Sequence, residues 1–110
     1  MSYQHASLAA GRWGQLTFLE QMANVASEVE RALNWRGKHQ QAYAARACER
    51  ALELLDLTLA GAMPPARLRE LARVREALVD FFFGTNSYAS TDASWRKYFS
   101  AFTHAARRHH

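Results

Sequence analysis

The residues best suited to chemistry lie in one stretch, residues 75–99, which reads REALVDFFFGTNSYASTDASWRKYF. Arg75, Asp80, Asn86 and Asp92 supply a guanidinium, two carboxylates and an amide within this stretch. If the fold brings these groups together at one end of a helical domain, they would form a polar cleft for a small ligand. We therefore take these four residues as a candidate binding pocket.

The same groups also have a structural interpretation, which stays open at this point. Asn86 lies in a turn-rich segment after Gly84, and asparagine tolerates the backbone conformations of turns. Asp92 is one of three neighbouring candidates for the N-cap of a following helix, together with Ser90 and Thr91. Turn formation and capping would then account for these side chains without any ligand.

Large apolar residues are crowded into the same part of the chain. Within 22 residues fall Phe81, Phe82, Phe83, Tyr88, Trp95, Phe99 and Phe102. We expect a small domain to leave part of this set exposed, and an exposed apolar patch marks an interface. Phe83, Tyr88 and Trp95 are therefore candidate interface residues, and we predict a homodimer. The spacing of Trp95 with Phe99 and Phe102 fits an inward, core-forming face equally well.

The sequence contains no pattern typical of catalysis or metal binding. Glu-x-x-His, His-x-x-x-His and Cys-x-x-Cys are all absent, as are the glycine-rich phosphate-binding patterns. The lone Cys48 falls on an alanine-rich apolar stripe, which is typical of a small buried thiol. We predict no catalytic residue, no metal and no cofactor.

The elements that would position these residues are helices, since apolar residues recur at three- and four-residue spacing. The pattern predicts helices over about 15–37, 40–59 and 65–83, and a last one from 90–92 to about 107. Arg50 and Glu53, three residues apart on the second helix, predict a salt-linked outer face. Four helices with short connections indicate an all-α, antiparallel four-helix bundle.

Length and composition favour one helical-bundle domain over residues 1–110. We expect a loose N-terminal segment over 1–14 and the bundle over about 15–107. His109 and His110 fit either the native chain or a purification tag. A single cysteine excludes an internal disulfide, and the chain has no apolar run of about 18 residues. We therefore predict a cytoplasmic protein without a membrane span.

The formal net charge of +4 lies entirely in the second half of the chain. Residues 61–110 carry eight Lys and Arg against four Asp and Glu. A basic surface can bind nucleic acid. The arginines of the third helix are interspersed with Glu70 and Glu76, however, and this pattern is more typical of a solvated face. We therefore expect a protein partner first, with nucleic acid as the alternative.

Three segments, SEVERALNWRGK, ERALELLDLTL and REALVDFFFGTNSYASTDASWRKYF, resemble a family of short, all-helical prokaryotic proteins. The resemblance covers about residues 15–107 and implies a helical fold, but it implies no activity.

The helix AYAARACERALELL is also similar to a helix of HEPN-type four-helix bundles. Some members of that group are ribonucleases with an Arg and a His separated by four to six residues. No Arg of this chain precedes a His at that spacing. The resemblance therefore implies a non-catalytic HEPN-like bundle that dimerises or supports a partner, with an RNA-binding or RNA-processing protein as the alternative.

Overall fold

A computed structural model describes residues 11–108 of the chain. After a 3₁₀ turn at Trp13–Gln15, the helices are α1 (Phe18–Gly37), α2 (Gln41–Leu59), α3 (Pro65–Phe83) and α4 (Asp92–Arg108). No strand occurs in this part of the chain. The prediction of an all-α four-helix bundle is confirmed.

Local sequence explains where the helices begin. Thr17 and Glu20 form a reciprocal capping box, so α1 starts at Phe18 rather than near residue 15. Proline suits a first helical turn, and α3 begins at Pro65 as predicted. At the start of α4, Thr91 Oγ1 accepts the Ser94 N–H at 3.0 Å. Thr91 is therefore the N-cap, rather than Ser90 or Asp92.

Gly84 ends α3 for a steric reason. Its φ of −110° is accessible to any residue. A Cβ placed there, however, would lie 3.0 Å from the Asp80 carbonyl oxygen and 3.2 Å from the Asp80 Cα. A side chain at this position would crowd the Asp80 backbone, so glycine suits the exit from the helix.

The helices pack in the order α3, α2, α1, α4, with α1 against both α2 and α4, and α2 against α3. The α1–α2 contact is built on small residues, since Ala32 meets Ala47 and Cys48 and all three are fully buried. The backbones of α3 and α4 approach each other much less, so side chains span the space between them. Phe81 and Trp95 meet there edge to face, with ring centroids 6.5 Å apart.

The core includes Trp13, which precedes α1. Trp13 is only 3 % exposed, and its indole N–H donates to Thr58 Oγ1 at 3.0 Å. The rest of the predicted loose segment, residues 1–10, and the final His109 and His110 lie outside the described residues.

Candidate functional site

Arg75 ties two helices together. Its guanidinium donates from Nε to Asp56 Oδ1 at 2.6 Å and from Nη2 to Asp56 Oδ2 at 3.2 Å. This hydrogen bonding raises the pKa of the Arg75 guanidinium above its usual value. The side chain therefore links α3 to α2 rather than turning toward the loop after α3.

Asp80 and Asn86 stabilise the conformation of the loop over residues 84–91. The Asp80 carboxylate accepts the backbone N–H groups of Ser87 and Tyr88 at 2.9 and 3.0 Å. The Asn86 amide both donates to the Ser90 carbonyl and accepts the Ser90 N–H, each at 2.9 Å. Asn86 itself has a φ of 59°, a conformation that asparagine tolerates better than most residues.

Asp92 joins the start of α4 to the end of α1. Its Oδ1 accepts a hydrogen bond from Arg36 Nη1 at 2.9 Å, and the same guanidinium lies 4.4 Å from the centre of the Phe81 ring. Asp80 and Asn86 lie in the same loop, where the Asn86 N–H donates to the Asp80 carbonyl oxygen at 3.2 Å. Arg75 and Asp92 are paired with Asp56 and Arg36 on other helices. The polar pocket that we expected from these four residues stays a prediction.

The three candidate interface residues have different environments. Phe83 and Tyr88 are 49 % and 51 % exposed, whereas Trp95 is 6 % exposed and packs in the core. The Tyr88 hydroxyl donates to Glu76 at 3.0 Å, and this bond raises the pKa of Tyr88. Because Phe83 follows Glu76 by seven residues, it lies on the same face of α3 as the carboxylate that Tyr88 covers.

Glu70 and Glu76 of α3 form no ion pair with the arginines of their own helix in the described chain. Glu70 accepts the Tyr98 hydroxyl at 2.7 Å, and Glu76 accepts that of Tyr88. No ion pair joins Arg69 or Arg73 to a carboxylate within residues 11–108. Arg69 and Arg73 therefore lie on α3 without an ion pair, whereas Glu70 and Glu76 accept hydrogen bonds from tyrosine hydroxyls.

The space between α3 and α4 forms a groove of about 480 Å³, which we call the α3–α4 groove. Its apolar lining comes from Ala66, Val74, Ala77 and Trp95, and its polar lining from Arg69, Glu70, Arg73 and Tyr88. Two of the three predicted interface residues, Tyr88 and Trp95, thus line one groove.

A second groove of about 470 Å³ lies between α1 and α4, and we call it the α1–α4 groove. Its floor is apolar and largely buried, and includes Ala26, Val29, Leu33, Trp95 and Phe99. Four charged residues line it: Glu30, Arg31, Arg96 and Arg107. Sequence reasoning missed this groove because nothing in the helical period says that α1 and α4 are neighbours.

Trp95 lines both grooves and carries an unpaired donor. Its indole Nε1 is the buried side-chain nitrogen or oxygen without a hydrogen-bond partner in the described part of the chain. Its ring stacks on Phe99 with centroids 6.0 Å apart and meets Tyr98 edge to face. An unsatisfied buried donor costs about 1–3 kcal/mol, so this N–H is a natural partner for an incoming acceptor.

The single cysteine of the chain is buried. Cys48 is fully buried, and burial raises the pKa of its thiol to about 12, so a thiolate does not form near neutral pH. Residues 11–108 contain no cluster of His, Cys, Asp and Glu that could hold a metal ion. No helix in that range is both long and apolar enough to cross a bilayer.

An aromatic and basic corner lies where α1 meets α2. The rings of Trp35 and Tyr43 pack with centroids 4.8 Å apart. Lys38 Nζ lies 5.3 Å from the centre of the Trp35 ring, and the Arg46 guanidinium lies 4.9 Å from that of Tyr43. This arrangement combines positive charge with exposed aromatic surface.

Comparison with protein-family models, with curated proteins and with solved structures gives no match for this chain.

Proposed function

We propose that this protein is a non-enzymatic protein-interaction module of the cytoplasm that acts as a homodimer. The proposed interface is the outer face of α3 together with the loop over residues 84–91. The exposure of Phe83 and Tyr88 on this one face is the observation that carries the proposal. Aromatic residues are enriched in interfaces, because they bury much apolar area with little loss of conformational freedom.

The charge along α3 makes this face complementary to itself. Arg69 and Arg73 come first, and Glu76 and Asp80 follow after one further turn. In a two-fold dimer with antiparallel α3 helices, an axis between Arg73 and Glu76 places each of these residues opposite the other in the second copy. The same register places Arg69 opposite Asp80. A second copy therefore supplies the carboxylates that Arg69 and Arg73 lack within one chain.

Sedimentation over a range of concentrations tests the proposal. The wild-type protein should sediment as a dimer, and Phe83→Ser and Tyr88→Ser should each raise the dissociation constant at least tenfold. Tyr43→Ser is the matched control, because Tyr43 is 46 % exposed but belongs to the corner between α1 and α2. A wild-type protein that stays monomeric at the highest concentration rules the homodimer out.

Charge reversal tests the antiparallel register separately. Arg73→Glu and Glu76→Arg should each weaken the homodimer, because each places like charges opposite each other across the axis. An equimolar mixture of the two variants should form a heterodimer, since both contacts are then attractive again. If the wild type dimerises and the mixture does not, the register is wrong although self-association stands.

Nucleic-acid binding is the second candidate, and the uncompensated cations favour it. Arg69 and Arg73 form no ion pair in the described chain, and the Trp35–Tyr43 corner carries Lys38 beside it. Binding of this kind should weaken steeply as salt rises, because each neutralised phosphate releases a counterion. Filter binding of single-stranded RNA at low and moderate salt tests it, and no retention at the lowest salt rejects it.

A further inference from the structure

We propose that the α1–α4 groove is a binding site for a small organic anion, one that joins a carboxylate or phosphate to an apolar body. This site lies on the other side of α4 from the proposed dimer face, and it does not depend on self-association.

The size and floor of the groove suit the apolar body. Its volume of about 470 Å³ lies within the usual range of small-molecule sites, about 300–1,000 Å³. Its floor is made by side chains that are already almost fully buried, such as Val29, Leu33 and Phe99. The core beneath the groove is therefore closed, and an apolar ligand would lie over it rather than enter it.

The charges that line the groove favour an anion. Three arginines and one glutamate line it, which leaves an excess of two positive charges. Arg96 is paired with Glu30 at 2.9 Å. Arg31 shares the single carboxylate of Glu28 with Arg50, a residue outside the groove. The ion pairs within residues 11–108 do not include Arg107 at all.

Arg107 is thus the arginine of this groove that can accept an anion without breaking an ion pair. It lies three turns of α4 beyond Arg96, which contacts Glu30 and Asn34 of α1. Because α1 and α4 run antiparallel, Arg107 lies toward the N-terminal half of α1. The anionic head would therefore bind at that end of the groove, with the apolar body extending along the floor toward Trp95.

Two further polar groups of the residues that line the groove lack a hydrogen-bond partner. Ser27 makes no side-chain hydrogen bond within the described residues, and its side chain is exposed beside the floor. At the other end, the Trp95 N–H is buried and has no acceptor. Ser100 and Thr103, by contrast, already donate to carbonyls of their own helix. The groove therefore combines an arginine without an ion pair, an apolar floor and, in Trp95, a lining residue whose buried N–H has no acceptor.

Titration by NMR tests this site, with the indole N–H signals of the three tryptophans as reporters. The probes are octanoate and octyl phosphate, with octanol as the neutral control and inorganic phosphate as the control for the head group alone. Both amphiphilic anions should shift the Trp95 signal and leave that of Trp13, which is bonded to Thr58, nearly unchanged. Octanol and inorganic phosphate should bind at least tenfold more weakly.

Two matched variants locate the anion. Arg107→Ala should weaken octanoate binding at least tenfold, whereas Lys97→Ala, an exposed cation of α4 outside the groove, should not change it. Arg73→Ala, which alters the α3–α4 groove, should also leave the affinity unchanged. Phe83→Ser should bind octanoate as the wild type does, which separates this site from the proposed homodimer.

Four results would overturn the site. The first two are an unchanged Trp95 signal at millimolar octanoate and an equal affinity for octanol and octanoate. The third is an equal loss of octanoate affinity in Arg107→Ala and Lys97→Ala. The fourth is a loss of octanoate affinity in Arg73→Ala that Arg107→Ala does not show. Circular dichroism of each variant verifies that the helices are retained before its affinity is compared.

Discussion

Arg50 of α2 donates a hydrogen bond from its Nε to Glu28 Oε2 of α1 at 2.6 Å. Glu28 is buried, and its other oxygen accepts Arg31 Nη1, also at 2.6 Å. One carboxylate in the α1–α2 seam is therefore held by two guanidinium groups. The spacing of Arg50 and Glu53 had predicted a pair within α2, but Arg50 instead pairs across the two helices.

Removing Arg50 should destabilise the protein more than removing Arg31. Arg50→Met leaves Glu28 buried with only a partly exposed partner, and breaking a buried pair costs about 3 kcal/mol. Arg31→Met removes a surface contact between residues three apart, and we expect a loss below about 1 kcal/mol. Urea unfolding of both variants measures the difference in free energy. Equal losses of unfolding free energy in the two variants would show that the buried pair between α1 and α2 stabilises the fold no more than the surface pair does.

The two buried tryptophans should respond differently to phenylalanine. Trp13→Phe removes a bonded indole N–H, whereas Trp95→Phe removes one that has no acceptor. Both side chains are more than nine-tenths buried, so their losses of apolar area are comparable. The free energy of unfolding should fall by at least about 1 kcal/mol more for Trp13→Phe. A larger loss for Trp95→Phe in the same urea titration would contradict this.

Two glycine-to-alanine changes should have opposite signs. At Gly84 a new Cβ meets the Asp80 backbone at 3.0 Å, and overpacking of this kind destabilises by about 1–3 kcal/mol. At Gly37 nothing lies within 4 Å of an added Cβ, and the residue is helical. Gly37→Ala should therefore stabilise by about 0.4–1 kcal/mol, chiefly by restricting the unfolded chain. The unfolding temperatures of the two single variants test this prediction. A shift of the same sign in both variants would refute the steric explanation for Gly84.

The thiol of Cys48 should lower stability in alkaline solution. Burial raises the pKa of this thiol to about 12, whereas in the unfolded chain it titrates near its ordinary value of about 8.5. Between these values the folded state binds more protons than the unfolded state, so stability falls as pH rises. The contribution of one such group reaches about 1.4 kcal/mol per pH unit.

Cys48→Ala should remove this contribution. The change itself costs packing at every pH, so the relevant quantity is the slope of the free energy of unfolding between pH 9 and 11. That slope should be shallower for the variant than for the wild type. Identical slopes would mean that the buried thiol is not the group responsible.

Much of the fold was predictable because its signals are local. The proline pair at Pro64 and Pro65 and the three- and four-residue period of apolar side chains depend on contacts within one or two turns. They correctly predicted four helices, and the start of α3 at Pro65. The partner of Trp13 was not predictable, because Thr58 is 45 residues away and no period links the two residues.

The candidate site was less predictable, because it depends on which helices are neighbours. The sequence by itself determined the helices, the aromatic face of α4 and the excess of positive charge in the second half of the chain. Only the tertiary structure decided that Arg75 binds Asp56, that Asp80 holds the following loop, and that α4 is flanked by two grooves. The physical reason is that a helical period specifies the direction of a side chain relative to its own axis. The partner that this side chain meets is specified by the packing of the other helices.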